Sequence, residues 1–152
     1  MSIDWICKPH AQLSTQELYA ILRLRAEVFV VEQQCVYLDV DGQDLLGDAC
    51  HLMAWLDQQL VAYLRLLDSI QQGGDVVIGR VVTAPSVRGQ GIGREMMVQA
   101  LGHAEKKWPG QPIYLSAQAH LQGYYGRYGF EPVGEEYLED GIPHIGMRRD
   151  IG

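Results

Sequence analysis

The chain has 152 residues, of which 47% are hydrophobic and 20% are charged. These proportions are typical of a globular protein, and the length predicts a single domain, residues 1–152. The net charge of −7 argues against a nucleic-acid partner, because phosphates bind to basic surfaces. No apolar run is long enough to span a bilayer, and the N-terminus lacks a signal-peptide pattern. We therefore expect a cytoplasmic protein without a membrane partner.

The cysteines Cys7, Cys35 and Cys50 are odd in number and widely spaced. They form no C-x-x-C or His/Cys pattern, so we interpret them as reduced structural thiols. The histidines and carboxylates likewise lack the spacing of metal ligands, and we predict no bound metal.

The first half of the chain begins with a short alternating apolar segment that Pro9 ends. Ser14 and Glu17 then form a capping box, which predicts the start of a helix. In chain order we predict a strand over 2–7, a helix from the capping box to about residue 31, a loop over 33–48, and a hairpin with strands at 51–55 and 60–67.

Arg25 lies on the apolar stripe of the predicted helix, which is unusual for a buried face. Two interpretations stay open. The side chain either extends its charge out to solvent, or it has a partner, such as a substrate carboxylate or Glu32.

The second half alternates strands with helices. We predict strands at 76–83, 113–116, 131–138 and 142–148, a helix from residue 92 to the break at Pro109, and a short helix over about 121–128. This order predicts a mixed α/β fold with a mostly antiparallel sheet and one parallel crossover through the longer helix.

Between the strand at 76–83 and the following helix lies the sequence Arg88-Gly89-Gln90-Gly91-Ile92-Gly93. Glycines let the backbone turn several N–H groups toward one point, and the start of a helix adds unpaired N–H groups and partial positive charge. This arrangement predicts a site for a pyrophosphate. The alternative is a glycine-rich turn that only joins strand to helix.

Two common phosphate motifs are excluded. A Walker loop requires Gly-Lys followed by Ser or Thr, and the chain contains no Gly-Lys pair. The dinucleotide pattern G-x-G-x-x-G fails because its third glycine position falls on Arg94 or Met96.

A second informative stretch, residues 124–130, reads YYGRYGF. In the GNAT acetyltransferases a loop like Arg88–Gly93 binds coenzyme A, and a tyrosine often stands four residues before a Gly-Phe pair. Tyr125 occupies that position, so the two motifs in this order resemble the GNAT family. Residues 24–33 (LRAEVFVVEQ) and 137–144 (YLEDGIPH) are similar to its ElaA-type branch.

This resemblance implies a GNAT fold, in which the parallel strand pair splays apart, and direct transfer of an acetyl group from acetyl-CoA to a primary amine. It implies that Tyr125 protonates the departing thiolate; the alternative is a tyrosine that only packs. Where the family often has Asn, this chain has Gln118. The implied cofactor-binding residues are Val82, Thr83, Arg88, Gly89, Gln90, Gly91, Ile92, Gly93, Arg94, Gln118 and Tyr125.

The base that deprotonates the amine is less clearly marked. Glu32 and His144 are the candidates, and a solvated carboxylate and a structural histidine are the respective alternatives. His51 and His120 have less support from motifs. The acceptor, on a small molecule or a protein, is expected to be cationic, because Asp39, Asp41, Asp44 and Asp48 crowd one loop.

Two further expectations concern the whole molecule. A module that binds acyl-CoA without turnover is the alternative to an enzyme. A homodimer is consistent with the resemblance, because GNAT proteins often pair.

Overall fold

The computed structural model describes residues 2–68 and 73–150, which form one seven-stranded sheet with the order β1-β2-β3-β4-β5-β7-β6. All neighbouring strands are antiparallel except β4 and β5. The strands are β1 (Asp4–Pro9), β2 (Cys50–Leu56), β3 (Gln59–Leu67), β4 (Val76–Thr83), β5 (Ile113–Gln118), β6 (Glu131–Glu139) and β7 (Ile142–Arg149), and the helices are α1 (Thr15–Arg25), α2 (Ile92–Lys107) and α3 (Gln122–Gly126). The predicted fold class is confirmed.

Helix α1 begins at the predicted capping box. The Glu17 N–H donates to Ser14 Oγ at 3.0 Å, and the Ser14 N–H donates to Glu17 Oε1 at 2.8 Å. The helical path continues to Glu32, but residues Ala26–Glu32 form a π-helix. Pro9 does not end β1 early, because an edge strand tolerates a missing N–H on its unpaired side. Within the described residues, no helix combines the length and apolarity needed to cross a membrane.

The sheet has a hydrophobic core on each face, because successive side chains of a strand point to opposite sides. Leu52 and Leu64 pack with the apolar stripe of α2, which includes Met96. Their neighbours Met53 and Tyr63 pack with α1 on the other face. The two helices therefore enclose the central strands.

Strands β4 and β5 pair only through Val76–Ile78 and Ile113–Leu115 and then separate. On its other side, β4 is irregular where Tyr63 pairs with Val82 but Arg65 pairs with Gly79. This irregularity places Arg80 at φ 52°, a conformation that residues other than glycine rarely adopt. The predicted splay of the parallel strand pair is confirmed.

Arg25 is fully buried and pairs with two aspartates of the loop that follows α1 and the π-helix. Its Nε lies 2.8 Å from Asp39 Oδ2, and its Nη1 lies 2.6 Å from Asp44 Oδ1. The Arg25 side chain therefore does not extend to solvent but has charged partners. These partners are Asp39 and Asp44 and not Glu32 or a substrate carboxylate.

The remaining charges of this loop are also matched. Arg65 Nη2 lies 2.7 Å from Asp41 Oδ2, and Arg80 Nε lies 2.9 Å from Asp39 Oδ1. Three buried or half-buried arginines thus neutralise three of the four loop aspartates, and Asp48 stays exposed. The reason given for a cationic acceptor is therefore wrong, since these carboxylates mostly hold the loop onto the sheet.

Candidate active site

The separation of β4 from β5 opens a cleft of about 640 Å³. Its floor is the end of the paired region of the sheet, and α3 and the β6–β7 turn stand at its sides. The lining residues are Phe29, residues 33–35 and 37, Ile78, Gly79, Arg80, Val81, Leu115, Ser116, Ala117, Gln118, Leu121, Tyr125, Glu139, Asp140, Ile142 and His144. The splay thus exposes strand backbone inside a concave site.

The glycine-rich loop precedes α2, with Gly89 at φ 81° and Gly91 at φ 79°. A Cβ placed on either glycine would meet no atom within 4 Å, so the space in front of the loop is open. The Glu95 N–H donates to the Gly91 carbonyl at 3.2 Å, so the N–H groups of Ile92, Gly93 and Arg94 precede the hydrogen-bonded ladder of the helix. These features fit a pyrophosphate of coenzyme A.

Arg88 and Glu32 form a two-pronged ion pair at the edge of this loop. The distances are 2.9 Å between Arg88 Nη1 and Glu32 Oε2, and 2.7 Å between Arg88 Nη2 and Glu32 Oε1. The hydrogen bonds and charge of Arg88 lower the pKa of Glu32. Glu32 is therefore a weaker base than a free carboxylate, and it does not line the cleft, so we do not retain it as the general base.

Tyr125 lies on α3 with its ring against Phe130 and edge-on to Tyr124, at centroid distances of 6.3 and 5.1 Å. Burial, with a smaller effect of Tyr128, raises the pKa of Tyr125. Its hydroxyl makes no hydrogen bond to another described residue. The phenol is therefore protonated at neutral pH and lies in the wall of the cleft.

His144 lines the same cleft from β7. Its Nδ1 lies 2.8 Å from the Ile142 carbonyl, and its Nε2 lies 3.3 Å from Glu139 Oε2. A carbonyl can only accept, so the neutral ring carries its proton on Nδ1 and leaves a lone pair on Nε2. A proton taken up at Nε2 would form an ion pair with Glu139. This geometry suits a group that accepts a proton.

Two further histidines, His51 and His120, are placed differently. His51 is fully buried, with Nδ1 2.6 Å from the Tyr63 hydroxyl and Nε2 2.9 Å from the Asp44 carbonyl, and burial lowers its pKa. His120 is exposed at the surface and does not line the cleft. His51 is thus a structural histidine in the core.

The implied cofactor residues divide into three groups. Gln118 and Tyr125 line the cleft, whereas the Arg88–Arg94 loop lies at the start of α2. Val82 is buried, and the Thr83 carbonyl accepts from Arg88 Nη2 at 3.1 Å. The β4 residues in the cleft wall are instead Ile78, Gly79, Arg80 and Val81, and sequence reasoning missed them because a β-bulge has no clear local signal here.

Comparisons with known proteins identify the family. The model of the acetyltransferase (GNAT) domain matches residues 12–151. The chain is 50% identical over 149 residues to protein ElaA of Escherichia coli, covering 98% of this chain and 97% of that protein.

Solved structures agree with this match. The crystal structure of Escherichia coli ElaA superimposes with a TM-score of 0.93 over 98% of this chain and all of that chain, at 49% identity. The crystal structure of an acyl-CoA N-acyltransferase from Pseudomonas aeruginosa has a TM-score of 0.96 and 65% identity, covering 97% of this chain and 99% of that one. The chain therefore belongs to the GNAT acyltransferase family, in its ElaA-type branch.

Proposed function

We propose that this protein transfers an acetyl group from acetyl-CoA directly to a primary amine. The observation that carries the proposal is the cleft between β4 and β5, which holds both a protonated tyrosine and a proton-accepting histidine, with the open glycine loop at the start of α2. When bound, acyl-CoA supplies an acyl group activated as a thioester. The Gly89–Arg94 loop would hold its pyrophosphate through backbone N–H groups.

Tyr125 has the properties of the acid. A thiol pKa near ~8.5 makes the departing sulfur a modest base, and a phenol of normal or raised pKa still carries the proton to give it. Among the described residues nothing else binds the Tyr125 hydroxyl, so the proton is available in the cleft. Gln118, also in the cleft wall, would hydrogen-bond the cofactor arm.

His144 is the better candidate for the base. Its Nδ1 proton is held by the Ile142 carbonyl, which leaves the lone pair on Nε2, 3.3 Å from Glu139 Oε2, and His144 and Glu139 both line the cleft. An amine must lose a proton to attack, and His144 would take it while Glu139 stabilises the resulting imidazolium.

The acceptor end of the cleft carries its own negative charge. Glu139 and Asp140 line it, whereas Arg80, the nearest arginine in the wall, is already paired with Asp39. A second ammonium group on the acceptor would be attracted there. The acceptor is therefore proposed to be a small diamine-like molecule. The proposal rests on Glu139 and Asp140 and not on the aspartates of the loop over 33–48.

The release of free thiol from acetyl-CoA tests both the acetyl transfer and the preference for a cationic acceptor. We expect 1,4-diaminobutane to react about fivefold faster than its mono-N-acetyl derivative at low salt, since one charge contact near 4 Å in water is worth about 1 kcal/mol. The advantage should shrink with added salt, which screens the charges, and in Asp140→Asn, which removes one of them. Asn tolerates the φ of 51° at this turn, so the variant should keep the fold. Asp48→Asn, an exposed loop change, is the matched control.

Equal rates for the two amines at every ionic strength would contradict the cationic acceptor. Binding of acetyl-CoA without thiol release across a broad amine panel would contradict the enzyme and indicate an acyl-CoA sensor.

The glycine loop is tested by Gly91→Val. Valine strains the backbone at φ 79° and fills the open space in front of the loop, so we expect the affinity for acetyl-CoA to fall at least ~10-fold. Gly102→Val, at an exposed site in the same helix with no atom within 4 Å of an added Cβ, is the control. Calorimetry on the folded variants measures the effect, and unchanged affinity in Gly91→Val would remove the pyrophosphate assignment.

A further inference from the structure

A second cavity, of about 220 Å³, lies at the opposite end of α2 from the glycine loop. Helix α2 has 16 residues, so the two sites are about 24 Å apart along its axis. The cavity is lined by two cysteines, Cys7 and Cys50, together with Lys107, Trp108 and His103. The proposed acetyl transfer uses none of these residues.

The two cysteines meet because of the register of β1 and β2. Cys7 lies opposite Leu52, and Cys50 lies opposite Pro9, so the cysteines are diagonal neighbours on the same face of the sheet. Cys50 is 4% exposed, and Cys7 is half-buried. Two thiols therefore share one face of a small cavity.

The surroundings of the pair distinguish its two sulfurs. A hydrogen bond from Cys7, and then the ammonium group of Lys107, lower the pKa of Cys50 despite its burial and the nearby Asp48. The same hydrogen bond and burial raise the pKa of Cys7. Lys107 is itself held in place, with Nζ 5.7 Å from the centre of the Trp108 ring. The S–H of Cys50 donates to the Asp48 carbonyl at 3.4 Å, and Cys50 shares the cavity wall with Lys107, whose charge favours loss of that proton. On this geometry we assign Cys50 as the nucleophile and Cys7 as its partner thiol.

We propose that Cys7 and Cys50 form a redox-reactive dithiol whose substrate is a small hydroperoxide. The Cys50 thiolate attacks the terminal oxygen of the hydroperoxide, so that an S–O bond forms and the O–O bond breaks. The alkoxide or hydroxide that leaves takes up the proton given up by the Cys50 thiol and departs as an alcohol or water. The Cys7 thiol then attacks the Cys50 sulfur, the S–S bond forms, the S–O bond breaks, and water leaves. Two thiols are oxidised to one disulfide while the hydroperoxide is reduced.

The position of the pair makes this disulfide reversible. Diagonal neighbours in an antiparallel pair have Cα atoms about 7–8 Å apart, which is beyond the range of about 4.4–6.8 Å found in ordinary disulfides, so the backbone must move to close the bond. Strand β1 is the edge of the sheet and pairs only with β2 within the described residues, so it can shift to close the bond. A strained disulfide is more easily reduced, so dithiothreitol should restore both thiols.

The test uses the full chain and hydrogen peroxide. We expect peroxide to remove two of the three thiols per monomer, and peptide mapping to find Cys7 joined to Cys50 within one chain. Cys35→Ser should react in the same way, which makes it the matched control. In Cys7→Ser the Cys50 sulfenic acid has no partner, and dimedone should trap it.

The role of the lysine is measured separately. Lys107→Met keeps the apolar stem and removes the charge. We expect it to slow the reaction of Cys50 with methyl methanethiosulfonate, which forms a methyl disulfide and releases methanesulfinate, at least about threefold at neutral pH. Oxidation of Cys35 at the same rate as Cys50, disulfides only between chains, or an unchanged rate in Lys107→Met would each overturn the proposal.

Discussion

We expect Tyr125→Phe to lower the kcat of acetyl transfer by about 10²-fold and to leave the Kd for acetyl-CoA nearly unchanged. The substitution keeps the ring and its contacts with Tyr124 and Phe130, and it removes only the hydroxyl that carries the proton. Without that proton the thiolate must leave unprotonated or take a proton from water. Steady-state kinetics of thiol release, with calorimetry for acetyl-CoA, separate the two quantities.

Tyr128→Phe is the matched control for this experiment. Tyr128 lies in the turn that follows α3, its hydroxyl is 3.5 Å from that of Tyr124, and it does not line the cleft. It should retain nearly the full kcat. A Tyr125→Phe variant that turns over as fast as the Tyr128→Phe variant would show that Tyr125 only packs.

Arg25→Ala should lower the free energy of unfolding by about 3–5 kcal/mol. Within the described residues, removal of this fully buried guanidinium takes one of two arginine partners from each of two buried carboxylates. Asp39 is left with Arg80, and Asp44 is left with Arg65. Urea denaturation measures the loss. Arg23→Ala, on the same helix but in an exposed pair with Glu27, is the control and should change stability by no more than about 0.5 kcal/mol. Equal effects would contradict the role of the buried cluster.

The same cluster gives the protein an acid-sensitive stability. Burial alone would raise the pKa of Asp41, but its hydrogen bonds and charge interaction with Arg65 outweigh burial and lower this pKa to about 2. Arg25 likewise overcomes burial and lowers the pKa of Asp44. The unfolded carboxylates titrate near ~3.9. Their contribution is therefore fully present above about pH 4 and is lost as the pH falls toward 2.

The elements of the fold were predictable because their signals are local. The capping box at Ser14, the turn between β2 and β3 and the glycines before α2 each lie within a few residues of the structure that they specify. The π-helical turn over Ala26–Glu32 was not predictable, because its apolar spacing is also compatible with an α-helix.

The contacts of the charged groups were not predictable from spacing along the chain. Arg25 and Asp44 are 19 residues apart, and Glu32 and Arg88 are 56 apart, so only the assembled sheet brings them together. Composition suggested a loop with free negative charge, whereas folding supplied an arginine for most of its carboxylates. The glycine loop and Tyr125 had clear motifs, but the electrostatic partners of the charged groups did not.

Glu139 is an exception, since a signal for it existed. The Asp140-Gly141 turn fixes the register of β6 and β7, so that Tyr137 lies opposite His144 and Glu139 lies opposite Ile142. Glu139 and His144 must then be diagonal neighbours on one face. Hairpin register applied to the sequence would have found this partner.

The ion pair between Arg88 and Glu32 has a consequence for the energetics of cofactor binding. A pyrophosphate bound at the proposed loop site would compete with the Glu32 carboxylate for the Arg88 guanidinium. Binding would then exchange one anion for another, and the positive charge would not be left unmatched. The pair is exposed to solvent, which screens its charges, so giving it up weakens cofactor affinity only slightly. Glu32 is the last residue of the π-helix, and the loop that follows it lines the cleft through residues 33–35 and 37. Displacement of Glu32 from Arg88 would therefore connect the proposed cofactor loop with the wall of the cleft. An acceptor that displaces Glu32 from Arg88 would increase the affinity for the cofactor. By thermodynamic linkage, the cofactor would then increase the affinity for that acceptor by the same factor.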